Sequence, residues 1–167
     1  MKKKCTFRCM LREIVSTLVL LFIVSMVFNY IRKPEVNEDI YRLELTDIKG
    51  QSLKMYSYAK EPLIVHFWAT WCPTCKLEAS NIETISQKNN VISIAVNSGS
   101  NEEILAYMEK RNLTYSVIND SSGALAKKFG IEAYPTTLIY DRDGKLKFTE
   151  VGYSTTLGLQ ARVKLSN

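Results

Sequence analysis

The order of patterned segments predicts an α/β domain, a mixed central sheet with helices on both faces, preceded by one transmembrane helix. Three observations carry this reading. Residues 63–68 (Leu-Ile-Val-His-Phe-Trp) are almost continuously apolar, as a central strand covered on both faces should be. Around that run, strand-like and helix-like periods follow one another as β, α, β, α, β, α, β, β, α. Near the front, residues 14–31 form an eighteen-residue run without a charge, close to the about 20 residues that span a bilayer.

The apolar run comes first. A secretory signal would have a shorter apolar core and a small-residue cleavage site, whereas this run ends in Val27-Phe28-Asn29-Tyr30, so it reads as an uncleaved anchor. Lys2, Lys3, Lys4, Arg8 and Arg12 precede it and only Arg32 and Lys33 follow, which places the N-terminus in the cytoplasm and the domain outside. The expected division is a cytoplasmic basic flank (1–13), the anchor (14–31), a polar linker (32–38) and the domain (39–167). Charge divides the same way: residues 1–33 carry a net +6 and the remainder −1. The basic pI of 9.0 therefore belongs to the anchor, and no basic stripe on the domain argues for nucleic acid. Cys5 and Cys9 fall on the cytoplasmic flank, where they read as reduced incidental thiols or acylation sites.

The domain opens with alternation across 40–58, in which Leu43, Leu45, Leu53 and Met55 flank the turn Lys49-Gly50, predicting a β-hairpin. After strand 63–68, Pro73 suits the first turn of a helix, where its missing N–H has no partner to lose. That helix is expected to reach about Lys88 and to bury Leu77, Ile82 and Ile85. Residues 91–96 form a second strand. A capped helix follows, with Glu102 and Glu103 in its first turn and Ile104, Leu105 and Met108 inside, stopping near Asn112. Strand 115–118, a short helix 121–129 closed by Gly130, and strand 133–140 come next. Asp141-Arg142-Asp143-Gly144 is a hairpin turn into strand 145–151. Leu157, Ala161 and Leu165, spaced by four, predict a closing helix.

The chemistry concentrates at Cys72-Pro73-Thr74-Cys75, where a buried strand breaks into a helix. Two thiols at this spacing can close and reopen a small disulfide ring. A helix N-terminus offers free N–H donors and partial positive charge, which favour a thiolate at Cys72. Cys72 is thus the expected accessible nucleophile and Cys75, one turn further in, the resolving thiol. A structural zinc usually takes four Cys or His ligands, and the domain offers two cysteines and one histidine, so no metal site is expected. So small a disulfide loop would tie nothing distant together, so it adds little as a staple.

Phe67-Trp68-Ala69-Thr70-Trp71-Cys72-Pro73-Thr74-Cys75 and Tyr134-Pro135-Thr136 resemble the active-site segments of the thioredoxin superfamily. The closest likeness is to its membrane-anchored TlpA-like branch, including the ScsD-like protein disulfide oxidoreductases. The resemblance covers roughly residues 38–165. It implies a thioredoxin fold with an extra βα unit between the active-site helix and Pro135. It also implies a cis peptide before Pro135, which faces the cysteine pair ahead of Thr136. Trp68 and Trp71 are expected to shape and shield the site. Tyr134 either touches substrate or packs as an ordinary aromatic. His66 occupies the position where cytosolic thioredoxins carry a buried aspartate. It reads either as a general base for Cys75 or as a satisfied core side chain. Glu78 completes a Cys-x-x-Glu pattern common in the branch and either accepts protons, steers substrate or stabilises an early helix turn. Gly152 marks a close backbone approach or a plain turn.

The expected function is extracytoplasmic thiol–disulfide exchange through Cys72 and Cys75, in the reducing direction, with no diffusible cofactor. Its expected partners are protein thiols and disulfides, such as apocytochrome c or damaged protein thiols, and a membrane electron donor of the thiol–disulfide type. The alternatives are a thiol oxidase or isomerase partner, and a non-catalytic copper-binding module using Cys72, Cys75 and His66. Peroxide reduction is a third reading, with only the shared fold behind it.

Overall fold

The computed structural model describes residues 7–31 and 40–166, with side chains for 10–24 and 40–166. The chain divides into two units, residues 1–33 and 34–167. In the first, helix α1 (Phe7–Ile31) takes in the whole charge-free run. Among the described residues no helix is long and apolar enough to cross a membrane. The expected transmembrane span is therefore not shown, and Cys5, the Cys9 side chain, the side chains of 25–31 and the 32–38 linker lie outside the described residues.

The second unit opens with a small antiparallel hairpin, β1 (Glu44–Thr46) and β2 (Ser52–Lys54), in which Leu45 pairs with Leu53. Short 3-10 turns at Ile40–Arg42 and Met55–Tyr58 flank it and bury Ile40 and Met55. There follow β3 (Leu63–Trp68), α2 (Pro73–Ser86), β4 (Asn90–Val96), α3 (Asn101–Glu109), β5 (Ser116–Asp120), α4 (Ala124–Lys128), β6 (Thr136–Tyr140), β7 (Leu146–Val151) and α5 (Thr156–Leu165). Every expected element of the domain is present. The active-site helix ends two residues before the expected Lys88, and the helix ahead of Gly130 is shorter than expected, beginning only after Gly123 at φ 73.

The main sheet runs β5-β4-β3-β6-β7. β3 lies parallel to β4 and antiparallel to β6, β4 is parallel to β5, and β6 is antiparallel to β7. The central strand is buried at all six positions, as its unbroken apolar run required. The tight β6–β7 turn is held by the Asp141 carboxylate, which accepts N–H bonds from Asp143 and Lys145 at 3.0 and 2.8 Å. Helix α3 begins at a reciprocal cap, Ser100 accepting from Glu103 N–H while the Glu103 carboxylate accepts from Ser100 N–H.

Two apolar layers sandwich the sheet. Ile64, Trp68, Ile82, Ile85, Ile104, Met108, Leu159 and Val163 pack on the α2, α3 and α5 side. Leu63, Val65, Phe67, Phe129 and Leu138 pack with Ile40 and Met55 on the α4 and hairpin side.

Two helix faces differ from expectation. Leu77 is 71% exposed, and the inner face of α2 is Cys75, Glu78, Ala79, Ile82 and Ile85. At 3.6 residues per turn, position 78 rather than 77 stacks over 82 and 85. In α5, Leu157, Ala161 and Leu165 face outward, whereas Leu159 and Val163, also four apart, are buried. One sequence carries two apolar rows, and docking on the sheet chooses between them.

Candidate active site

Cys72 is the N-cap of α2, and Pro73 opens the first turn. The Cys75 N–H donates to Cys72 Sγ at 3.3 Å, and the Cys72 thiol donates to the carbonyl oxygen of Tyr134 at 3.5 Å. Both cysteines are free thiols. Cys72 is less accessible than expected: it is 5% exposed and Cys75 is 2% exposed. Next to Cys72, the Trp71 ring meets that of Tyr134 edge-on at 5.8 Å. Burial pushes the Cys75 thiol well above the ordinary range, and the Cys72 sulfur and the Glu78 carboxyl add to that rise.

The loop carrying Trp71 is clamped to the loop between β4 and α3. Thr70 N–H donates to Ser98 Oγ at 3.0 Å, and Trp71 Nε1–H donates to the Asn97 carbonyl at 3.0 Å. Trp71 itself is half-exposed, whereas Trp68 is buried, donating through Nε1 to Ser93 Oγ at 3.1 Å.

The Tyr134–Pro135 peptide is cis. Thr136 is buried and its hydroxyl donates to the Ala133 carbonyl at 2.8 Å. Gly152 donates its N–H to the Pro135 carbonyl at 2.8 Å, with φ at 93°. A side chain there would meet nothing within 4 Å, so the positive φ, not a close approach, calls for glycine.

Glu78 is fully buried. Its Oε1 accepts the Ser154 N–H at 2.8 Å, and its Oε2 has no hydrogen bond. Burial raises its pKa to about 7, against the opposing pull of the Ser154 donor. A residue one turn beyond Cys75 is thereby a buried acid rather than a surface stabiliser of the helix start.

His66 lies on β3 facing α2, opposite Thr137 and Ser93. Its Nδ1 is 2.9 Å from Thr137 Oγ1, and its Nε2 faces Glu78 Oε2 at 4.0 Å. Desolvation lowers its pKa to about 3, so it is a neutral imidazole at physiological pH. The α2 residue that faces it is Glu78, which also bears on Cys75 from one turn away. The three donors of the expected copper alternative are not gathered: among the described residues no three His, Cys, Asp or Glu side chains are grouped to hold a metal ion.

Three further residues join the site that the linear pattern did not mark. Thr137 supports His66, Ser154 supports Glu78, and Tyr107 of α3 packs tilted against Trp68 with ring centroids 5.3 Å apart. Only Thr137 had a signal within reach, as the residue after Pro135-Thr136.

The chain is 25% identical over 156 residues to a thioredoxin-like protein of Haemophilus influenzae, covering 92% of this chain and 93% of that one. It is 29% identical over 115 residues to the thiol–disulfide oxidoreductase ResA of Geobacillus thermodenitrificans, covering 66% of each. A secreted disulfide oxidoreductase of Mycobacterium tuberculosis superposes with a TM-score of 0.68 at 21% identity, over 77% of this chain and 98% of that one, and so shares its fold. Residues 36–149, which include the hairpin, the cysteine pair and the cis proline, match the AhpC/TSA family, and the chain belongs to that thioredoxin-like family.

Proposed function

We propose that this thioredoxin-like thiol–disulfide oxidoreductase is a membrane-anchored, extracytoplasmic reductase of protein disulfides. Cys72 attacks, Cys75 resolves and Glu78 exchanges the proton of Cys75. The observation that carries this reading is the asymmetry of the pair. The Cys72 sulfur stands at the helix N-terminus with a backbone N–H on it, whereas Cys75 lies deeper, beside a buried acid.

In the first step, the Cys72 thiolate attacks one sulfur of a substrate disulfide. A Cys72–substrate bond forms and the other substrate sulfur leaves as a thiolate. In the second step, Cys75 gives its proton to the Glu78 carboxylate and attacks Cys72 Sγ. The Cys72–Cys75 bond forms, the mixed disulfide breaks, and the second substrate sulfur departs with the electron pair. The substrate is reduced by two electrons and the cysteine pair oxidised by two. A second protein's dithiol, in a membrane electron donor, restores it. The dithiol carries the electrons, so no diffusible cofactor takes part.

The extracytoplasmic setting is supported by the charge-free run of 14–31 and the five basic residues ahead of it. Protein disulfides and thiols, such as apocytochrome c or damaged protein thiols, are the substrate class that such a site serves.

Insulin-disulfide reduction by the full-length protein in detergent tests the activity. Catalytic turnover with a dithiol donor is expected, and stoichiometric reaction without turnover would sink the reading. Protease added to spheroplasts tests the placement: residues 40–166 should be digested while the membrane is intact, and their protection would overturn it.

A further inference from the structure

We propose that His66 is a positioning residue for Glu78: backed by the Thr137 hydroxyl, its imidazole changes tautomer to match the charge that Glu78 carries. The inference rests on the reading above only in that Glu78 exchanges the Cys75 proton. The pairing itself comes from the geometry.

Both side chains are buried, Glu78 at 0% and His66 at 2% exposure. Glu78 Oε1 is satisfied by Ser154 N–H, leaving Oε2 without a bond, and His66 Nε2 is set against it at 4.0 Å. Behind the ring, Nδ1 meets Thr137 Oγ1 at 2.9 Å. A threonine hydroxyl both donates and accepts, and a neutral imidazole carries one donor and one acceptor nitrogen. Two arrangements are open to the ring, each completed when the 4.0 Å separation of Nε2 and Oε2 closes to hydrogen-bond length. With Glu78 ionised, Thr137 donates to Nδ1 and the proton on Nε2 is directed at Oε2. With Glu78 protonated, Nδ1–H donates to Thr137 and the Nε2 lone pair faces the carboxylic acid. An isolated carboxylate in this layer would be strongly disfavoured, so a partner that can present either polarity lets Glu78 take and return a proton in place.

The ring does this without becoming an imidazolium, in keeping with its depressed pKa of about 3. The other groups that bear on Glu78 are Cys75 on its own helix, the Ser154 N–H after β7, Glu150 on β7 and Tyr115 ahead of β5. Glu150 opposes ionisation of Glu78 and is itself paired with Arg162 of α5. Ser154 N–H bonds Oε1, and the Ser154 side chain also favours the ionised carboxylate, while Oε2 keeps no hydrogen bond. His66 is the group placed at Oε2.

The test follows the Glu78 carboxyl by ¹³C NMR in full-length, reduced protein in detergent, its signal assigned with Glu78→Gln. His66→Leu should move the Glu78 midpoint up by about one pH unit or more. It should also slow resolution of a preformed Cys72 mixed disulfide at pH 7 roughly tenfold, with recovery at higher pH. His66→Asn, whose carboxamide offers both a donor and an acceptor, should restore the midpoint, and Thr137→Val should move it upward by less than His66→Leu does. An unmoved midpoint in His66→Leu would overturn the proposal. So would an equal slowing by His66→Leu in the Glu78→Gln background, which would mean that His66 does not act through Glu78. If His66→Leu does not fold, Thr137→Val decides: an unmoved midpoint there refutes the tautomer exchange. Failure of the wild-type protein to turn over insulin would count against the reductase reading alone, because the NMR midpoints do not depend on it.

Discussion

The two faces of β3 divide stability from chemistry. Leu63, Val65 and Phe67 point into the α4 and hairpin side, an apolar layer in which Phe67 meets Phe129 at 5.5 Å. Ile64, His66 and Trp68 point toward α2, where the layer also contains Ser93, Thr137 and Glu78. Strand register puts the two sets on alternate residues of one element, so neighbours in sequence serve different ends. Buried polar groups are retained on the side that holds the cysteines, at some cost in stability.

That contrast can be broken from either side. The largest effect is on turnover: Cys72→Ser should reduce insulin reduction to the uncatalysed background. Cys75→Ser should instead accumulate protein joined to substrate through Cys72, visible on non-reducing gels. Trapping through Cys75 in a Cys72→Ser variant would reverse the assigned roles.

On the opposite face, Phe67→Ala should lower unfolding free energy by about 3–5 kcal/mol in urea titrations. Activity per folded molecule should be kept. A proportionate loss of activity in the folded fraction would mean that the faces are not separable.

The polar face predicts a distinctive pH dependence. Glu78 has a folded pKa raised to about 7, so the folded state binds more protons than the unfolded one between about 4.5 and 7, and its contribution to stability falls as pH rises through that window. His66 is lowered to about 3, so the unfolded state binds more protons between about 3 and 6.5, and stability falls as pH drops through that range. In the wild type the two slopes oppose each other where the windows overlap. Glu78→Gln should unmask a loss of stability toward acid, and His66→Leu a loss toward neutrality on the order of 3 kcal/mol. Chemical denaturation at pH 4.5 and pH 7 checks this, and identical profiles in the two variants would refute it.

The smallest effects should come from the apolar residues that face outward. Leu165→Ala and Leu77→Ala should change stability by no more than about 0.5 kcal/mol, whereas Leu159→Ala should cost about 2–5 kcal/mol. Thermal denaturation distinguishes them.

Much of the fold was legible in advance because local signals agreed. An unbroken apolar run specified the central strand, Pro73 after Cys72 set a helix start, and Asp141 to Gly144 set a turn whose carboxylate does hold the hairpin. The cysteine pair was legible for the same reason, since spacing and position at a helix mouth are local properties. The helix faces were read wrongly where amphipathic pattern competed with the site. A leucine at 77 and a glutamate at 78 suggest that the leucine goes inside, and the structure reverses them.

The amino-acid sequence by itself determined which elements form, in what order, and where the cysteine pair stands, because periodicity, caps and turns act over a few residues. Tertiary structure alone decided what surrounds that dithiol. The Tyr134 carbonyl reaches Cys72 from 62 residues away, Thr137 reaches His66 from 71, and Ser154 reaches Glu78 from 76. Such pairings depend on sheet register and helix docking, which are set by the sum of many weak contacts across the whole domain. That is why a buried acid facing a neutral histidine appears only once the chain is folded.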